Sequence, residues 1–119
     1  MVLMLRNVGS ASAALLVAAA LLLGTDAAGA QETITLAISI KDHRFEPSEL
    51  RAPANKPITL RIKNLDPTPA EFESVRLRVE KVIAANGEGV VNLRPLAPGR
   101  YDFFDDFHKD TTRGTLIVQ

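Results

Sequence analysis

Alternation of apolar and polar residues dominates the chain from Ile34 onwards. In TITLAISI, the residues Ile34, Leu36, Ile38 and Ile40 share one face, and in PITLRIKN, Ile58, Leu60 and Ile62 do the same. A period of two is that of a strand with one face on a core and the other in water. Further runs occur in VRLRVEKVI, GVVNLRPL, GRYDFF and GTLIVQ, divided by the turn-forming stretches EPSE, NLDPTPA, NGEG and APG. No segment carries a helical period, and the exception foreseen is a short turn near Ser48. Short strands with turn signals between them predict an all-β sandwich of about seven strands.

The first thirty residues depart from this pattern: Arg6 precedes an Ala- and Leu-rich run from Ala11 to Leu23, which ends in the small-x-small motif Ala28, Gly29, Ala30. That is the form of a secretory signal peptide. As a membrane anchor the run is shorter than the ~20 residues that span a bilayer. The expected organisation is a leader, residues 1–30, and one exported domain, residues 31–119. A domain of this size buries only roughly 60–65 % of its unfolded surface, so exported domains of this kind often add disulfides or metals. The chain has no Cys, which removes disulfides, thiolate catalysis, zinc fingers, iron–sulfur clusters and copper–thiolate centres. Lys and Arg number 14 and Asp and Glu number 14. This balance leaves no broad basic face for nucleic acid, and any functional charge is local.

One stretch concentrates such charge, YDFFDDFHKDTTRG from Tyr101 to Gly114. Alternation puts Tyr101, Phe103 and Asp105 on one face and Asp102, Phe104 and Asp106 on the other. The aromatic face predicts that Asp105 is partly buried where the core runs out, with His108 following a turn later. A buried carboxylate there needs a cation or hydrogen-bond donors. In AEFESVRLRV, Glu71 and Glu73 share parity with Val75, Leu77 and Val79 on an unbroken strand, which would carry both acids along a core face to the same end. An inward Phe72 would require a bulge and turn them outward, and a surface strand with Arg76 or Arg78 as partners is a further alternative. His43, in KDHRFEP, is either a second imidazole or a partly exposed histidine satisfied by Asp42. Asp102, Asp106 and Asp110 read as rim acids, Asp106 being the most readily recruited. Asp, His and one or two Glu form an oxygen-rich set that suits Fe(II), Mn(II) or Cu(II) better than Cu(I). The bland reading of the same residues is a solvated loop of turn-forming acids.

The order FEPSELRAPANKPITLRIKNLDPTPAEFES, a middle β segment, then PLAPGRYDFFDDFHKDTTRGTLIV resembles the cupredoxins, specifically the EfeO-type cupredoxin-like domains, over about Ile38 to Val118. EFES and FFDDFH are most similar to the small FtrB-like periplasmic component of bacterial ferrous-iron uptake systems. The resemblance implies a Greek-key β-sandwich in the periplasm that binds Fe(II), with or via copper, and assists its oxidation or its delivery to a permease. The metal, iron or copper, would be held by residues drawn from Asp105, His108, Glu71, Glu73 and His43. The partners implied are an inner-membrane iron permease, another periplasmic metal-binding protein and a membrane electron acceptor, with a homodimer left open.

Departures from the blue-copper pattern narrow this further. Where that pattern reads Tyr-x-Phe-x-Cys-x-x-His, this chain has Tyr101, Phe103, Asp105 and His108. The axial Met has no counterpart, since Thr112 and Arg113 stand there, and the neighbourhood of Glu71 and Glu73 replaces the first His. Blue-copper electron transfer is excluded because its His-His-Cys centre needs the thiolate. Iron oxidation as an enzymatic activity stays open, as do a non-redox copper or metal carrier and a metal-free docking module.

Overall fold

Along Ile58–Asn64 every second residue is buried and the residues between are not, so one strand face supplies core and the other meets water. The same rule builds most of the domain. The computed structural model describes residues 32–119, and the expected leader lies outside the described residues. The strands are β1 (Ile34–Lys41), β2 (Arg44–Glu46), β3 (Glu49–Ala52), β4 (Ile58–Asn64), β5 (Ala70–Ser74), β6 (Val79–Ile83), β7 (Glu88–Leu93), β8 (Gly99–Asp105) and β9 (Arg113–Val118). A one-turn 3₁₀ helix, Asp106–His108, links the last two.

The strands form a four-stranded sheet ordered β2-β1-β4-β7 and a five-stranded sheet ordered β3-β9-β8-β5-β6. Both are mixed: β1 runs parallel to β4 and β3 parallel to β9, while the neighbouring pairs are antiparallel. Their inner faces share one core that includes Ile40, Leu60, Ile62, Phe72, Phe103 and Leu116. Phe103 stands between Phe45 and Phe72, with ring centroids 5.0 Å from each. Gly114 makes room for this cluster. A Cβ there would lie 2.5 Å from a Phe103 ring carbon and 2.9 Å from the Ser48 carbonyl oxygen.

The expectation of about seven strands changes to nine for two local reasons. The EPSE turn is flanked by two short strands, because the chain crosses here from β1 to β9: β2 pairs with the former and β3 with the latter. The run VRLRVEKVI is not one strand, since residues 75–78 form a turn before β6 begins. Leu77 is buried within that turn, where its N–H donates to Ser74 Oγ. The helical turn sits at Asp106–His108, while residues 47–48 near Ser48 form only a bend.

Candidate metal centre

Asp105 closes β8 on its inward face and is 1 % exposed. Its burial is met by donors. Oδ1 accepts the backbone N–H groups of Glu71 (2.9 Å) and Phe107 (3.0 Å), the second of these capping the one-turn helix. Oδ2 lies 2.9 Å from Nδ1 of His108. A carboxylate only accepts, so Nδ1 carries the proton and Nε2 becomes the nitrogen available to a metal. Of the two outcomes foreseen for a buried carboxylate, donors rather than a cation satisfy Asp105, which makes it the support of His108. The loop back to β9 is held by the Asp105 N–H donating to the Thr112 carbonyl (2.9 Å) and the Thr112 N–H donating to the His108 carbonyl (3.0 Å).

A second imidazole meets the first. The ring centroids of His43 and His108 are 4.0 Å apart with planes tilted by 40°. His43 sits in the turn between β1 and β2, where Asp42 and His43 both take left-handed backbone angles, φ 52 and 57°. Their N–H groups donate to one carboxylate, that of Asp66, at 2.7 and 2.9 Å, and His43 Nδ1 lies 3.8 Å from Asp66 Oδ2. The acid beside His43 is therefore Asp66 rather than Asp42. Asp66 is itself placed by Asn64, whose buried Oδ1 accepts the Asp66 N–H (3.1 Å) while its Nδ2 donates to the Thr68 carbonyl (2.8 Å). From the far side Thr112 Oγ1 donates to the His43 carbonyl at 2.6 Å. Neither Asp66 nor the hydroxyl of Thr112 stood out in the sequence. The available signals were an Asp placed two residues beyond a strand-ending Asn, and a Thr at the place of the axial Met.

Glu71 and Glu73 lie elsewhere. Phe72 is fully buried, and β5 pairs with β6 in continuous register from Ala70↔Ile83 to Ser74↔Val79. The reading of both glutamates on a core face is corrected: the strand ends at Ser74, no bulge is needed, and they stand half-buried on the outer face. Their foreseen partner Arg76 stacks instead on Tyr101, 4.5 Å from the ring centroid. Glu73 faces Glu80 across the strands, and Glu71, Glu73 and Asp106 each offer a carboxylate oxygen within 4.8 Å of the others. Partial burial, then the charges of Asp106 and Glu80, raise the pKa of both glutamates above the ordinary carboxylate range. The five residues foreseen thus divide, with Asp105, His108 and His43 in one group and Glu71 and Glu73 with Asp106 in another. The Glu71 N–H on Asp105 joins the two groups.

A family model described as a cupredoxin-like domain matches residues 12–118. The chain belongs to the cupredoxin-like domain family. The uncharacterized protein RP394 of Rickettsia prowazekii (strain Madrid E) is 44 % identical over 81 residues, 68 % of this chain and 65 % of that protein. The match therefore spans just under two thirds of the relative's length. Among solved structures, the metal-binding domain of the Cu(I)-exporting P-type ATPase CopA of Streptococcus pneumoniae D39, with Cu(I), aligns with TM-score 0.64 at 16 % identity, covering 76 % of this chain and 99 % of that domain. Auracyanin A, a "blue" copper protein of Chloroflexus aurantiacus, aligns with TM-score 0.64 at 15 % identity, covering 74 % of this chain and 100 % of its own. At such identities the likeness is one of fold. The donor set decides what this cupredoxin-like domain can hold: without a thiolate a blue-copper centre does not fit, whereas two imidazoles fit an ion that accepts nitrogen ligands, copper included.

Proposed function

We propose that this cupredoxin-like protein is an exported, FtrB-like metal-binding component of a bacterial iron-uptake system, which binds Fe(II) with the help of copper and assists its oxidation or its delivery to a permease. One observation carries the reading: the imidazoles of His43 and His108 stand 4.0 Å apart, and a buried carboxylate, Asp66 or Asp105, lies beside each. For His108 this is the hydrogen-bonded carboxylate–histidine arrangement that fixes ring orientation and raises ligand basicity at metal sites, whereas Asp66 holds the backbone of His43. His108 would bind through Nε2, with His43 beside it and Asp105 behind it. A bound copper ion would supply one-electron acceptance towards Fe(II), provided an external acceptor such as one in the membrane takes the electron. The outer acids Glu71, Glu73 and Asp106 give incoming Fe(II) the hard oxygen donors it prefers.

The test is calorimetric titration with Cu(II) and, anaerobically, with Fe(II), for the wild type and His108→Ala. The expected result is saturable binding that is lost in the variant. Fe(III) formation above the buffer rate on adding Fe(II) to the copper-loaded protein, with a soluble one-electron acceptor supplied, would support oxidation, and its absence would leave a metal carrier. No saturable binding of either ion would overturn both readings and leave a docking module.

A further inference from the structure

His43 reaches its partner ring from the tip of a two-residue hairpin, whose position is set from outside. Asp42 and His43 are the two central residues of the hairpin that pairs Lys41 with Arg44, and both take the left-handed backbone of a two-residue hairpin turn. The groups that fix the turn in place come from two other loops. Asp66, with its side chain 8 % exposed, gathers the two N–H groups of that turn on one carboxylate. Thr112, fully buried, uses each of its three polar groups to span the loops. Its N–H and C=O bind the His108 segment through His108 O and Asp105 N, and its hydroxyl donates to the His43 carbonyl.

We infer that Asp66 and Thr112 are positioning residues for His43, which hold its ring against His108 so that the two imidazoles meet a metal as a preformed pair. This rests on the reading of that pair as the metal site. Ligands ordered beforehand bind without losing their freedom on association, so loosening the pair lowers affinity even though neither positioning residue touches the ion.

The experiment compares Thr112→Val, which keeps the shape and removes the donor, with Thr112→Ser, which keeps the donor, and with Asp66→Asn. The metal-free protein is read by the NMR contact between the two imidazole rings. The Cu(II)-loaded protein is read by pulsed electron paramagnetic resonance, which counts coordinated imidazoles, and by calorimetry. Thr112→Val is expected to lose the ring contact, to fall from two imidazoles to one, and to bind Cu(II) about 10–100-fold more weakly. Thr112→Ser should restore all three readings, and in a His43→Ala background Thr112→Val should add little. Should Thr112→Val not fold, Asp66→Asn carries the same readouts and the same expected losses. A folded Thr112→Val or Asp66→Asn that retains two imidazoles and wild-type affinity overturns the positioning role and leaves the metal site standing. A wild type that binds Cu(II) through one imidazole, or not at all, overturns both.

Discussion

Replacing Asp105 separates stability from metal binding, because its two oxygens do different things. In Asp105→Ala the N–H groups of Glu71 and Phe107 lose their acceptor. Two orphaned, partly buried donors at about 1–3 kcal/mol each place the loss at roughly 2–6 kcal/mol, a large share of the ~5–15 kcal/mol that holds a domain together. Asp105→Asn keeps a carbonyl oxygen for both N–H groups and should cost only about 1 kcal/mol, as bonds to a charged acceptor become neutral ones. Its amide nitrogen, however, turns a donor towards His108 Nδ1, now 2.9 Å from Oδ2. The other flip would set donors against donors. The ring must then accept at Nδ1 and carry its proton on Nε2, the nitrogen needed for the metal, so Cu(II) affinity should fall at least ~10–100-fold. Urea denaturation at constant m-value, nitrogen-15 NMR of the imidazole and Cu(II) calorimetry measure the three effects. If Asp105→Asn bound copper like the wild type while its ring had changed tautomer, the assignment of Nε2 as ligand would be wrong.

Two further outcomes follow from the same geometry. Glu71 and Glu73 have raised pKa values in the fold, so the folded state holds their protons more tightly than the unfolded chain does. Their contribution is destabilising above the raised values and fades as pH falls through them towards the ordinary 4.5. Glu71→Gln/Glu73→Gln should therefore be more stable than the wild type at neutral pH, with the gap narrowing on acidification in urea titrations; a gap independent of pH would refute this. Gly114→Ala places a Cβ 2.5 Å from the Phe103 ring, an overpacking expected to cost about 2–3 kcal/mol. That corresponds to a melting temperature lower by roughly 10–20 °C in a domain of this size, and an unchanged melting curve would show that Phe103 can move aside.

Period-two reasoning located what a single strand decides. It put Tyr101, Phe103 and Asp105 inward, and all three are buried. It left the facing of Glu71 and Glu73 open where parity is carried through a turn: on an unbroken strand they align with Val75 and Leu77, but the chain leaves the sheet at residues 75–78, and the neighbouring buried Phe72 decides for the outward alternative. Strands β2 and β3, three and four residues long, are too short to show a period and exist because distant partners pair with them. The His43 surroundings were illegible for the same reason. Asp66 lies 23 residues from His43 and Thr112 lies 69 away, and no local pattern states which loops will meet. The cupredoxin-like architecture was readable from the order of its pieces, whereas the support given to each imidazole was not.

Strand β9 lies between β3 and β8 in its sheet, so the five-stranded sheet stays divided until residues 113–118 are in place. Closing it joins β3 to β9 across a separation such as Glu49 to Thr115, a topology in which chain entropy is surrendered before contacts reward it. Thr112 immediately precedes that strand, and its seating is what links the two histidine loops. The segment that closes the five-stranded sheet is thus continuous with the residue that ties the His43 loop to the His108 loop. The two imidazoles, 4.0 Å apart, therefore depend for their mutual placement on a segment that also completes a sheet on the other side of Thr112.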